Sequence, residues 1–256
     1  MTPKQILQRA QTETLADKNG DRVELLVAPG LSRDEIVAFE KDSHITIPRE
    51  IRALLEYSRG FTLRSKWAST QFYEDEQGLT AALRGRGCVW HPVWMDSVPA
   101  GLAPAGLEVV SDICDNSWAV EIRPPGEWGA VFYVCHDPPL IAFQAKDLAG
   151  FLLELFMLFS KNQPNHLITD AKRIEKVPLY KAAATRDSGD PVLKAFAATL
   201  KDDDVIADLR EKRVGTGFSW DVFGKATRLK RHEKELLFGL TKPERKGFLR
   251  RMFGGS

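Results

Sequence analysis

The stretch WGAVFYVCHDPPLIAF, residues 128–143, decides how the middle of this chain is read. Its first half is rich in β-branched and aromatic residues, the composition of a strand, and Leu140 opens a second run of the same kind. Between the two stand Cys135, His136, Asp137 and a pair of prolines. The trio is either a reactive or metal-binding group at a strand end, or the turn of a hairpin. Successive side chains on a strand point to opposite faces, which stops Cys135 and His136 from converging on one metal or acting as nucleophile and base. A zinc site would also have to recruit Cys88 and His91. No glycine-rich or helix-start context activates the thiol. Proline fixes φ, and an aspartate side chain bonds nearby backbone N–H groups, so Asp137-Pro138-Pro139 has the chemistry of a turn. The turn is the favoured reading, with Cys135 buried beside it as a small hydrophobe.

Working outward, GLEVVSDI (106–113) and SWAVEI (117–122) are two more short runs of strand composition. The turn-like segments CDN and RPPGEW separate the runs. Together they predict an antiparallel meander. DLAGFLLELFMLFSK (147–161) follows, a strongly apolar helix that should pack across the sheet. Upstream, LSRDEIVAFEKD (31–42) carries a capping box in Ser32 and Glu35, with Leu31 and Ile36 as the hydrophobic staple. In PREIRALLEYSRGF (48–61), Pro48 suits a helix start, and Ile51, Leu54 and Leu55 make one apolar face. Gly60 is placed to close that helix in a left-handed conformation. TPKQILQRA adds an N-terminal helix with Thr2 as its cap. Residues 61–104 mix aromatics with glycine and proline and read as irregular, with one or two edge strands. Residues 161–256 read as helical and polar, broken by RDSGDP and RVGTGFSW.

The composition is that of a globular protein: 43% of the 256 residues are hydrophobic and 28% charged. No apolar run approaches the roughly 20 residues of a membrane helix. Three cysteines favour a reducing compartment over a disulfide framework. The first twenty residues lack the apolar core of a secretory signal, so a cytoplasmic location is expected. A net charge of +1 hides an asymmetry: residues 1–160 hold 15 Lys+Arg against 22 Asp+Glu (−7), and residues 161–256 hold 21 against 13 (+8). No phosphate-binding loop or dinucleotide fingerprint is present, and no cofactor is implied.

LSRDEIVAFEKDSHITIPREIRALLEYSRGFTL resembles the opening of the SUKH superfamily, which includes the Smi–Knr regulators of yeast cell-wall assembly. The shared pattern is a capped helix with a Phe-Glu pair (Phe39–Glu40), a Pro-led helix (Pro48) and a glycine where a strand begins (Gly60). SDICDNSWAVEI is similar to the family's polar turn and aromatic-bearing strand, although many members have a Gly-Asp-Gly-type turn where this chain has DICDNS. GAVFYVCHDPP and DLAGFLLELF are similar to its last core strands and closing helix. The resemblance spans residues 25–160 and implies an α+β domain with a twisted antiparallel-rich sheet flanked by helices. It implies a non-enzymatic, protein-binding role: bacterial members are regarded as immunity proteins that neutralise polymorphic toxins, and fungal relatives as intracellular scaffolds. It carries no catalytic residue.

The chain is therefore expected to divide into an N-terminal helix (1–24), a SUKH-like α+β domain (25–160) and a basic, mainly helical C-terminal extension (161–256). Trp118 and Trp128 start strands beside Asp112, Asp115, Glu121 and Glu127. Aromatic anchors on an acidic face suit a basic protein partner such as a toxin domain, and His136 and Asp137 complete the candidate surface. The competing reading, and the favoured one, is that both tryptophans belong to the core. The run from Lys225 to Arg251 holds ten basic and three acidic residues among Leu and Phe. It reads as an amphipathic helix that docks on the acidic domain or lies on a membrane surface, with nucleic acid the least favoured partner. An immunity protein is the leading expectation. A regulatory scaffold, or a small metal-dependent hydrolase using His136 and Asp137, is the alternative.

Overall fold

Alternation along one ten-residue strand organises the molecule. In the computed structural model, which describes residues 1–17, 19–43, 46–64, 105–111, 117–123, 127–160, 166–168, 170–224, 227–232 and 235–242, β4 (Ala105–Ser111), β5 (Ser117–Arg123), β6 (Glu127–His136) and β7 (Pro139–Ala145) form the antiparallel meander that the sequence predicts. On β6, Val131, Tyr133 and Cys135 point to one face, and Ala130, Phe132 and Val134 to the other. All six are buried. Both faces must therefore be covered, which is why GAVFYVC is an unbroken apolar run and not an apolar–polar alternation.

Helices cover the first face. α1 (Pro3–Thr12) opens with a Thr2–Gln5 capping box and buries Ile6, Leu7 and Ala10. α2 (Arg33–Ser43) has its own: the Ser32 N–H donates to Glu35 at 2.9 Å, and the Glu35 N–H to Ser32 Oγ at 3.2 Å. Glu40 ties α2 to α3 (Arg49–Tyr57), accepting from the Ile47 N–H at 2.7 Å and from Arg52 at 2.5 Å. α3 does not end on a left-handed glycine. Its C-cap is Ser58 in extended conformation, and the Ser58 hydroxyl donates to the Gly60 carbonyl at 2.6 Å where the chain enters β3 (Phe61–Arg64). β1 (Leu15–Ala16), β2 (Arg22–Val27) and β3 form a small sheet in the order β1-β2-β3. α4 (Leu148–Met157), capped by Asp147, lays Leu148, Phe151, Leu152 and Leu155 against the meander.

The second face corrects the expected helical extension. The described part of residues 161–256 contains six strands, one 3-10 turn and two short helices, α5 (Ala182–Thr185) and α6 (Pro191–Ala198). β11 (Thr216–Ser219) lies antiparallel beside β7, and β8 (Glu175–Lys176) parallel beside β11, extending the meander to β4-β5-β6-β7-β11-β8. Gly217 makes that union possible, since a Cβ there would stand 2.3 Å from the Ile141 carbonyl oxygen. The other strands, β12 (Arg228–Arg231), β13 (Leu237–Thr241), β10 (Val205–Asp208) and β9 (Leu179–Lys181), form a second sheet in that order. Its Leu229, Phe238, Leu240 and Ala207 meet Phe132, Val134, Ile141 and Phe143 in one apolar core. On its outer face Ile206 and Leu237 pack with Phe196 and Ala197 of α6. The layers run helix, sheet, sheet, helix. The run read as a basic amphipathic helix holds, at Arg228–Arg231 and Leu237–Thr241, the antiparallel pair β12 and β13. Its apolar stretch of five residues is too short for periodicity to separate helix from buried strand.

Candidate interaction surface at one end of the sheet

The trio at 135–137 is a hairpin. Cys135 pairs with Leu140 and His136 with Pro139, and Asp137-Pro138, joined by a cis peptide bond, makes the turn. Cys135 is 1% exposed in the helix-side core. Its carbonyl accepts from Trp220 Nε1 at 3.3 Å. Asp137 and Pro138 are exposed. Among the described residues no three His, Cys, Asp or Glu side chains converge as metal ligands would.

Register shows which other segments share this end of the sheet. Ser117 pairs with both Val134 and Ser111, so these two serines, the described residues on either side of 112–116, sit at the end of β6 that leads to Asp137. The side chains of Asp112, Asp115 and His136 lie outside the described residues. From the C-terminal region, Ser219 pairs with Leu140, and the Trp220 N–H donates to the Pro139 carbonyl at 3.1 Å. That brings Asp221, and Val222 with 38% exposure, beside the Asp137 turn. Lys242 arrives close by, 5.2 Å from the Phe223 ring centroid and bonded to Asp203. This bond is the main cause that holds the Asp203 carboxyl below its ordinary pKa.

The remaining predicted residues do not join this end. Trp118 belongs to the core at 0% exposure: its ring packs 5.2 Å from that of Tyr133, and its indole N–H donates to Gln144 Oε1 at 3.3 Å. An aromatic with its polar handle satisfied inside cannot anchor a partner. Glu121 is likewise 0% exposed. Both its carboxylate oxygens accept from Arg231, at 2.7 and 3.1 Å. The same guanidinium lies 4.6 Å from the Phe238 ring. Glu121 therefore joins the two sheets and is unavailable as a surface charge. Trp128 is half-buried against the helix-side core, its Nε1 enclosed without a hydrogen-bond partner. Glu127 is exposed, but it begins the strand whose far end leads to Asp137. At about 3.3 Å per residue this separates the two by roughly 30 Å, so they cannot form one compact patch.

Asp221 and Val222 were not legible as site residues, because RVGTGFSW reads as a break and only the pairing of β11 with β7 brings it here. Arg231 did leave a trace, in the opposite charges of the two parts of the chain.

Residues 30–154 match the family model described as SMI1 / KNR4 family (SUKH-1). No curated protein and no solved structure matches the chain. The matched span opens just before the capped α2, includes the Glu40-tethered elbow and the meander, and closes within α4, so over residues 30–154 the chain is similar to the SMI1/KNR4 (SUKH-1) family in its pattern of capped helices, strands and closing helix.

Proposed function

We propose that this protein is a cytoplasmic, non-enzymatic binding module, an immunity protein that neutralises a basic toxin domain by covering its active face. The carrying observation is the exposed Asp137-Pro138 turn, with Asp221 and Val222 beside it, on a SUKH-family scaffold. The main-chain bonds of Trp220 and the β6–β7 ladder hold these loops on a rigid sheet end, which limits the entropy lost on binding. The acidic character of Asp137 and Asp221 speeds encounter with a basic partner. The family match supports a protein-binding role in preference to hydrolysis at His136 and Asp137, and burial removes Cys135 as a nucleophile.

The test is affinity capture with the purified protein, followed by binding measurements on the retained partner. Asp137→Lys and Asp221→Lys together should weaken a one-to-one complex at least tenfold, which is about 1.4 kcal/mol. The stability of the free protein should change by no more than about 0.5 kcal/mol, as for surface substitutions. Capture of no stoichiometric partner, or a complex indifferent to both reversals, would overturn the proposal. Several unrelated partners at separate surfaces would indicate a scaffold.

A further inference from the structure

We draw no further inference here: the strongest candidate, the β1–β2 turn at residues 17–21, where the buried Asp17 carboxylate has one oxygen without a hydrogen-bond partner, carries nothing because its other oxygen already closes the turn through the N–H groups of Asn19 and Asp21 and no second observation points to a ligand.

Discussion

The two faces of the six-stranded sheet are both apolar and both covered, yet by different kinds of element. The helix-side face is covered by elements before and after the meander, α1, α3 and α4. The other face is covered by a sheet assembled from residues 179–241, which must return to strands laid down up to 110 positions earlier. α4 follows β7 directly and needs only a short connection, whereas α1, far upstream of the meander, and the second sheet both bear a larger loop-closure cost. Burial of Phe132, Ile141, Phe143, Phe218 and Phe238 in a single core offsets that cost. Among the described residues, the core between the sheets draws on both sides of residue 160.

The most severe way to break this comparison is to remove one cover. A chain ending at residue 165 should lose the partners of Phe132, Val134, Ile141 and Phe143 and aggregate on expression. Circular dichroism and sedimentation of the truncated chain check this. A soluble, cooperatively folded fragment would show that the second cover is dispensable.

A smaller break targets the charge that joins the sheets. Glu121→Ala leaves the Arg231 guanidinium buried without its carboxylate, and should cost about 3–5 kcal/mol in urea unfolding. The double change Glu121→Leu with Arg231→Met should regain most of this, because removing both charges leaves none uncompensated. Equal losses in the single and double variants would show that the pair is not coupled.

Gly217→Ala sharpens the comparison at the seam. The new Cβ meets the backbone at Ile141 and Ala142, and overpacking of this kind costs about 1–3 kcal/mol. Hydrogen exchange should accelerate at the amides of β11 more than in α4, since the substitution lifts the C-terminal region's strand from β7 and spares the helix-side cover.

The smallest effect is one of pH. The Asp190 carboxyl lies below its ordinary value of 3.8, chiefly because Arg210 bonds it, helped by the N–H of Leu193 at the start of α6. A lowered folded-state value means that its contribution to stability is fully present above the unfolded value and fades as pH falls towards the folded one. The stability gap between the native chain and Asp190→Asn should therefore hold steady from about pH 6 to about pH 5 and narrow below about pH 4. A gap independent of pH would place the effect in helix capping alone.

The helix-side half was legible because its signals are local. Ser32 and Glu35 lie three residues apart, and the meander's runs end in turn residues. The other half was not, because its strands are two to five residues long and carry no period of their own: Arg228–Arg231 reads as charge until Leu240 and Phe238 are opposite it. Burial was equally hidden at Trp118. A tryptophan on a strand looks the same at an interface and in a core, and the decision rests with Gln144, 26 residues away. The acidic residues were read as one face because they are near in sequence. Period-two alternation sent Glu121 to the interior instead, and the length of β6 carried Glu127 away from Asp137.

The late arrival of the second cover also sets a problem of timing during synthesis. β7 ends at Ala145 and Leu240 lies 95 residues further on, so at about 5–20 residues per second the growing chain carries a finished meander with one bare face for about 5–20 s. That interval is long against the microseconds in which hairpins form. Nascent chains of this protein therefore present one apolar face before its cover has been made, a stage at which self-association competes with completion of the fold.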